Sequence, residues 1–106
     1  MAVTPYIYDG AVLGAVATQQ GTTVPALTKR VIKSASLVNT TGAPIPGTVQ
    51  LVTADSTAIT HISARPIAAG ESYPCPELIN KGLNPGGLVK ALGDGLTFMY
   101  TATDFV

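Results

Sequence analysis

Apolar and polar residues alternate along this chain in short runs, and the last run does so most regularly. Leu96, Phe98, Tyr100 and Ala102 fall on one parity and Thr97, Thr101 and Thr103 on the other. A period of two marks a half-buried strand, because successive side chains of extended backbone point to opposite faces. Residues 31–38 and 48–53 are β-branched runs separated by Asn39-Thr40-Thr41-Gly42-Ala43-Pro44-Ile45-Pro46-Gly47. Asn, Gly and Pro reverse the backbone at low steric cost, so the two runs are expected to form an antiparallel pair across that loop. Between Arg30 and Asn39 apolar residues occur on both parities, which suits a strand covered on both sides.

Other segments follow the same grammar. Residues 11–17 read as a strand leading to the turn-like 19–25, and residues 57–63 as a third strand after the polar turn Ala54-Asp55-Ser56. Pro66 and Ala69-Gly70-Glu71 interrupt the pattern, Pro74-Cys75-Pro76 forms a stiff corner, and residues 77–80 read as a short strand or a single helical turn. Residues 81–87 are loop, and 88–92 a strand that Gly93-Asp94-Gly95 reverses into the alternating run. Pro5 and Asp9-Gly10 make residues 1–10 an irregular N-terminal arm, although its Tyr6, Ile7 and Tyr8 must either cap the domain's core or dock on a neighbour. Turn signals about every ten residues, without a long amphipathic helix, predict an all-β fold. It is a single-domain antiparallel β-sandwich, jelly-roll or Ig-like, with six to eight short strands in residues 11–106. The expected core is Val12, Val16, Ile32, Leu37, Val49, Leu51, Ile59, Leu88, Leu96, Phe98 and Tyr100.

A chain of 106 residues buries roughly 60–65% of its unfolded surface, enough for a core without staples. Only 11% of residues are charged and the formal net charge is zero, against roughly 25% charged in an average domain. Such a surface has little repulsion to keep copies apart, which points to life inside an assembly. No apolar run approaches the roughly 18–20 residues that span a bilayer. The first residues lack the basic and apolar parts of a secretory leader, so synthesis in the cytoplasm is the expectation, with no membrane partner.

Candidate chemistry is sparse. His61, the single histidine, has only Asp55 and Ser56 near it in sequence, too few for a metal site or an oriented base. Cys75 lies between two prolines without a basic neighbour to activate it. Asp9, Asp55, Glu71, Glu77, Asp94 and Asp104 are scattered singly, and the glycine-rich pieces match no phosphate-binding pattern. Asn39-Thr40-Thr41 matches a glycosylation acceptor but reads better as a turn held by an Asx hydrogen bond. No enzyme and no cofactor is therefore expected. Lys29, Arg30 and Lys33 form a small basic cluster, suited to an acidic protein partner or to guarding a strand edge, and too small for nucleic acid.

Residues 22–104 carry a further pattern: Val24-Pro25, then Ile32-Lys33-Ser34 with Asn39-Thr40 following, a turn with Gly70-Glu71-Ser72, and Gly93-Asp94-Gly95-Leu96 opening the last strand. This resembles the small β-sandwich virion proteins of tailed bacteriophages, although residues 78–88 are longer and richer in Gly and Pro than that pattern. The resemblance implies a capsid decoration or cement protein, a homo-oligomer bound to the major capsid protein or other virion proteins. It implies no catalytic residue. Tyr6, Ile7 and Tyr8, with Lys29, Arg30 and Lys33, are the candidate contacts. A tail, neck or baseplate subunit is the alternative. A sandwich that binds host carbohydrate is a third reading, disfavoured by the absence of tryptophan and only 6% aromatics.

Overall fold

The computed structural model describes residues 2–106. Its elements are β1 (Val3–Val12), β2 (Thr18–Gln20), β3 (Lys29–Asn39), β4 (Ile45–Val52), β5 (Ala58–Ile67), β6 (Ser72–Tyr73), a 3-10 turn (Pro76–Leu78), β7 (Gly82–Leu83), β8 (Leu88–Leu92) and β9 (Leu96–Phe105). Two antiparallel sheets form. One has the order β1-β9-β3 with β6 and β7 on the far edge of β3, and the other the order β2-β8-β4-β5. The pairs nest: β4 with β5, β3 with β6, β2 with β8, β1 with β9. A long hairpin rolled in this way, its strands shared between two facing sheets, is a jelly roll. The β3–β9 and β4–β8 ladders complete the sheets.

The winding corrects the expected antiparallel pair at residues 31–53, because β3 and β4 lie in opposite sheets. Asn39 supplies the reason. Its buried Nδ2 donates to the carbonyls of Ala43 and Ile67, both at 2.8 Å, while its Oδ1 accepts from the Thr41 N–H at 2.9 Å. The Asx bond is present, but the second carbonyl belongs to the end of β5, so the side chain draws the loop across to the other sheet. Gly93-Asp94-Gly95 likewise joins β8 of one sheet to β9 of the other. The Gly93 and Gly95 N–H groups donate to Gly14 and Leu13 of the neighbouring β1–β2 corner, both at 3.0 Å.

Strand β9 behaves as its alternation predicts, with Leu96, Phe98, Tyr100 and Ala102 all buried. Double coverage of β3 is corrected. Its ladder with β9 shifts register between Ile32 and Ser34, and this bulge moves the inward parity from Arg30 and Ile32 to Ala35, Leu37 and Asn39. The arm expected at residues 2–10 is also no irregular segment: it belongs to β1, paired to β9 from Val3 to Val12 with a bulge after Tyr8. Met1 lies outside the described residues. Ala2 and Val106 exchange both backbone hydrogen bonds, at 3.2 and 2.9 Å. In an antiparallel ladder the bonding pairs alternate, so Val3, Pro5 and Ile7 turn their backbone groups to the free edge, where proline loses no ladder bond.

Further expectations change. The strand expected at 11–17 stops at Val12, and Val12 and Val16 are exposed rather than core. Strand β5 continues through Pro66 to Ile67, which an edge strand tolerates. In β8 the inward residues are Val89 and Ala91, leaving Leu88 only half-buried. Ile59 is outside the core for a reason that bears on the site below.

Candidate interaction surface

The structure divides the six candidate contact residues. Tyr6 and Tyr8 turn inward and stack against Tyr100, with ring centroids 5.9 and 5.4 Å away. Their hydroxyls are spent inside the domain: Tyr6 accepts from the Thr22 N–H at 2.8 Å, and Tyr8 donates to Gln20 Oε1 at 2.7 Å. Tyr100 donates to the Gln20 carbonyl at 2.8 Å. Arg30, at 2% exposure, is no surface cation. It grips Asp104 with two hydrogen bonds, gives a third to the Thr22 carbonyl at 2.9 Å, and lies 3.7 Å from the Tyr6 ring centroid. Lys29 and Lys33 remain exposed. The basic cluster is therefore not brought together, and the two tyrosines cap the core.

Ile7, between them, points the other way and is 64% exposed. On the outer face of the β1-β9-β3 sheet it lines a groove of ≈ 410 Å³ together with Met99 and Ile79, among serines and threonines. Ser34 and Thr101 share a hydrogen bond of 2.7 Å there, which uses one of their two hydroxyl donors. Asp9 is the charged residue on the groove. Met99 was detectable in the sequence as an apolar residue on the threonine parity of β9. Ile79 was not, since it follows a turn with no periodicity to read.

A second concavity, of ≈ 480 Å³, opens at the end of the sandwich between β5 and β7. Its floor is Leu51, Ile59 and Leu83, and its polar wall includes His61, Lys81, Asn84 and Asp55. His61 sits where the β4–β5 ladder skips a residue, between Thr60 and Ile62, and a bulge of this kind re-aims a side chain. Burial, and then the charge of Lys81, lower the His61 proton affinity below the usual histidine range. Asp55 is tied into the β4–β5 turn, accepting from the Thr53 hydroxyl and from the Thr57 N–H, which holds its carboxyl below the ordinary value. Cys75 is fully buried, and its thiol is pushed up to about 12 by burial first and the Glu77 charge second. Among the described residues no three of His, Cys, Asp and Glu gather as metal ligands, and no helix is long and apolar enough to cross a membrane.

No protein-family profile and no curated protein matches this chain. Among solved structures the chain is similar to one from a structure of infectious bursal disease virus, Gt strain, with 11% sequence identity and a TM-score of 0.43. The likeness covers 98% of this chain and 30% of that one, so this chain spans less than a third of its length.

Proposed function

We propose that this protein is a non-enzymatic structural subunit of a virion, a decoration or cement protein that attaches to the major capsid protein of the assembled head. The outer face of the β1-β9-β3 sheet carries the reading: exposed Ile7, Met99 and Ile79 gather about a groove on which Asp9 is the charged residue. Exposed apolar side chains of this size gain from burial against a partner at roughly 25 cal/mol per Å². The resemblance in residues 22–104 points the same way. A subunit that binds only the assembled shell stabilises it in proportion to occupancy.

Electron microscopy of purified particles of the virus that encodes the chain tests this. The expected result is jelly-roll density on the head exterior, the Ile7 face against the shell. An Ile7→Asp variant that keeps the native circular dichroism spectrum should fail to attach. Density confined to the tail, neck or baseplate would select that alternative, and absence of the protein from the particle would overturn the proposal.

A further inference from the structure

The concavity between β5 and β7 holds an anomaly. Ile59 is the cross-strand partner of Leu51, so the two share the inward face. Leu51 is 5% exposed, yet Ile59 keeps 49% of its surface exposed. Across the mouth stands only the two-residue β7, whose Leu83 joins Leu51 in the core while Ile59 stays open. An inward isoleucine on an uncovered floor loses the burial that its position in the sandwich would otherwise give it.

The wall above that floor carries one ammonium, Lys81, one carboxylate, Asp55, and several further donors. Among the described residues the ion pair is Arg30–Asp104, so Lys81 has no carboxylate in contact. Asp55, on the same rim, has its carboxylate turned to the Thr53 and Thr57 donors of its own turn. His61 offers a ring N–H and Asn84 an amide. The volume, ≈ 480 Å³, lies within the roughly 300–1,000 Å³ usual for small-molecule sites, in which an apolar floor meets a few convergent polar groups.

We propose that this mouth binds a carboxylate carried on a short aliphatic body, the acid group against Lys81 and His61 and the aliphatic part over Ile59, Leu51 and Leu83. An ammonium–carboxylate hydrogen bond is charge-assisted and strong, and the aliphatic part covers Ile59. The same chemistry is offered by a free aliphatic acid and by the terminal carboxylate of a polypeptide with an apolar last residue. This site is independent of the virion reading, since it lies at the end of the sandwich and uses none of the Ile7 face.

Nuclear magnetic resonance of the full chain, reading the Ile59, Leu51 and Leu83 methyls and the His61 ring, tests it with four probes: octanoate, octanol, N-acetyl-leucine and N-acetyl-leucine amide. Saturable shifts confined to these groups are expected with the acids, and binding at least about tenfold weaker with the alcohol and the amide, as loss of one charge-assisted bond implies. Lys81→Met replaces an exposed side chain, so the fold should persist, and octanoate affinity should fall by a similar factor. Tighter binding of octanoate than of N-acetyl-leucine would assign a free acid, and the reverse a chain terminus; either supports the site. Octanol binding as tightly as octanoate, unchanged affinity in the Lys81→Met variant, or no saturable shift would overturn it.

Discussion

Arg30 and Asp104, 74 residues apart in the chain, meet as a bidentate pair inside the sandwich, with Nε to Oδ1 at 2.7 Å and Nη2 to Oδ2 at 3.0 Å. Burial by itself would loosen the proton of Arg30, but the hydrogen bond and charge of Asp104 outweigh it, and the guanidinium is held even more firmly charged than usual. The pair fastens β3 to β9, and through Thr22 and Tyr6 it also fixes the β2–β3 loop and β1.

Removing one partner strands the other charge in a low-dielectric interior. Arg30→Ala or Asp104→Ala should each cost about 3–5 kcal/mol of stability, whereas the double change Arg30→Met with Asp104→Leu should cost clearly less than either. Urea unfolding midpoints of the three variants check this. Equal losses in all three would show that the pair matters for its shape and not for its charge.

Asn39→Asp keeps the size of the side chain and its bond from Thr41, but sets a carboxylate against the carbonyls of Ala43 and Ile67 that Nδ2 now serves. Each buried group left unpaired costs about 1–3 kcal/mol. The variant should lose at least that much in equilibrium denaturation, and hydrogen exchange should accelerate first at residues 40–45. Because the same side chain steers the crossover between sheets, refolding should also slow.

The alkaline limb of stability follows from the buried acids. Burial raises the Cys75 thiol from 9.0 to about 12, and burial with the neighbouring Tyr6 raises the Tyr100 phenol above its ordinary 10.0. Folded values above unfolded ones mean that the fold favours the neutral forms. Their contribution is complete below the unfolded values and is lost as pH rises through the folded ones. Urea midpoints should therefore fall above pH 9, and more gently in a Cys75→Ala variant. In native protein at neutral pH the thiol should resist a disulfide reagent, reacting fully once urea unfolds the chain.

Pro5 stands at a free-edge position of β1, where it removes one donor from an otherwise open strand. Pro5→Val restores that N–H and should promote association of copies while changing the stability of the monomer by no more than about 0.5 kcal/mol. Sedimentation velocity over a range of concentrations distinguishes the variant from the parent. Unchanged sedimentation would mean that the bulge at Asp9-Gly10 already guards this edge.

What the sequence displayed depended on how far each interaction reaches. The faces of β9 were legible because uninterrupted alternation needs no partner to be read. The faces of β3 were not, since the bulge at Lys33-Ser34 reverses the parity midway and an inserted residue leaves no compositional trace. Asn39 announced a turn correctly, but loop chemistry does not say which sheet the next strand will join; that was decided by the Ile67 carbonyl, 28 residues away. Arg30 looked like part of a surface cluster because its neighbours Lys29 and Lys33 are exposed, while its true partner lies near the other end of the chain. Of the candidate contacts, Ile7 and Tyr8 border the apolar groove, and Met99 and Ile79 come to it from strands and turns that no local pattern links to β1.

Strand β9 comes after the other eight in chain order, yet it occupies the middle of its sheet, with β1 on one side and β3 on the other. While the ribosome is still at work, Val3 has no Phe105 to meet and Lys29 no mate either. Two open ladders must wait through translation, at roughly 5–20 residues per second, until one late segment slides between them. A nascent polypeptide interrupted before Leu96 should therefore have every strand of the β2-β8-β4-β5 sheet but no partner sheet to cover it, and be a target for chaperones and proteases.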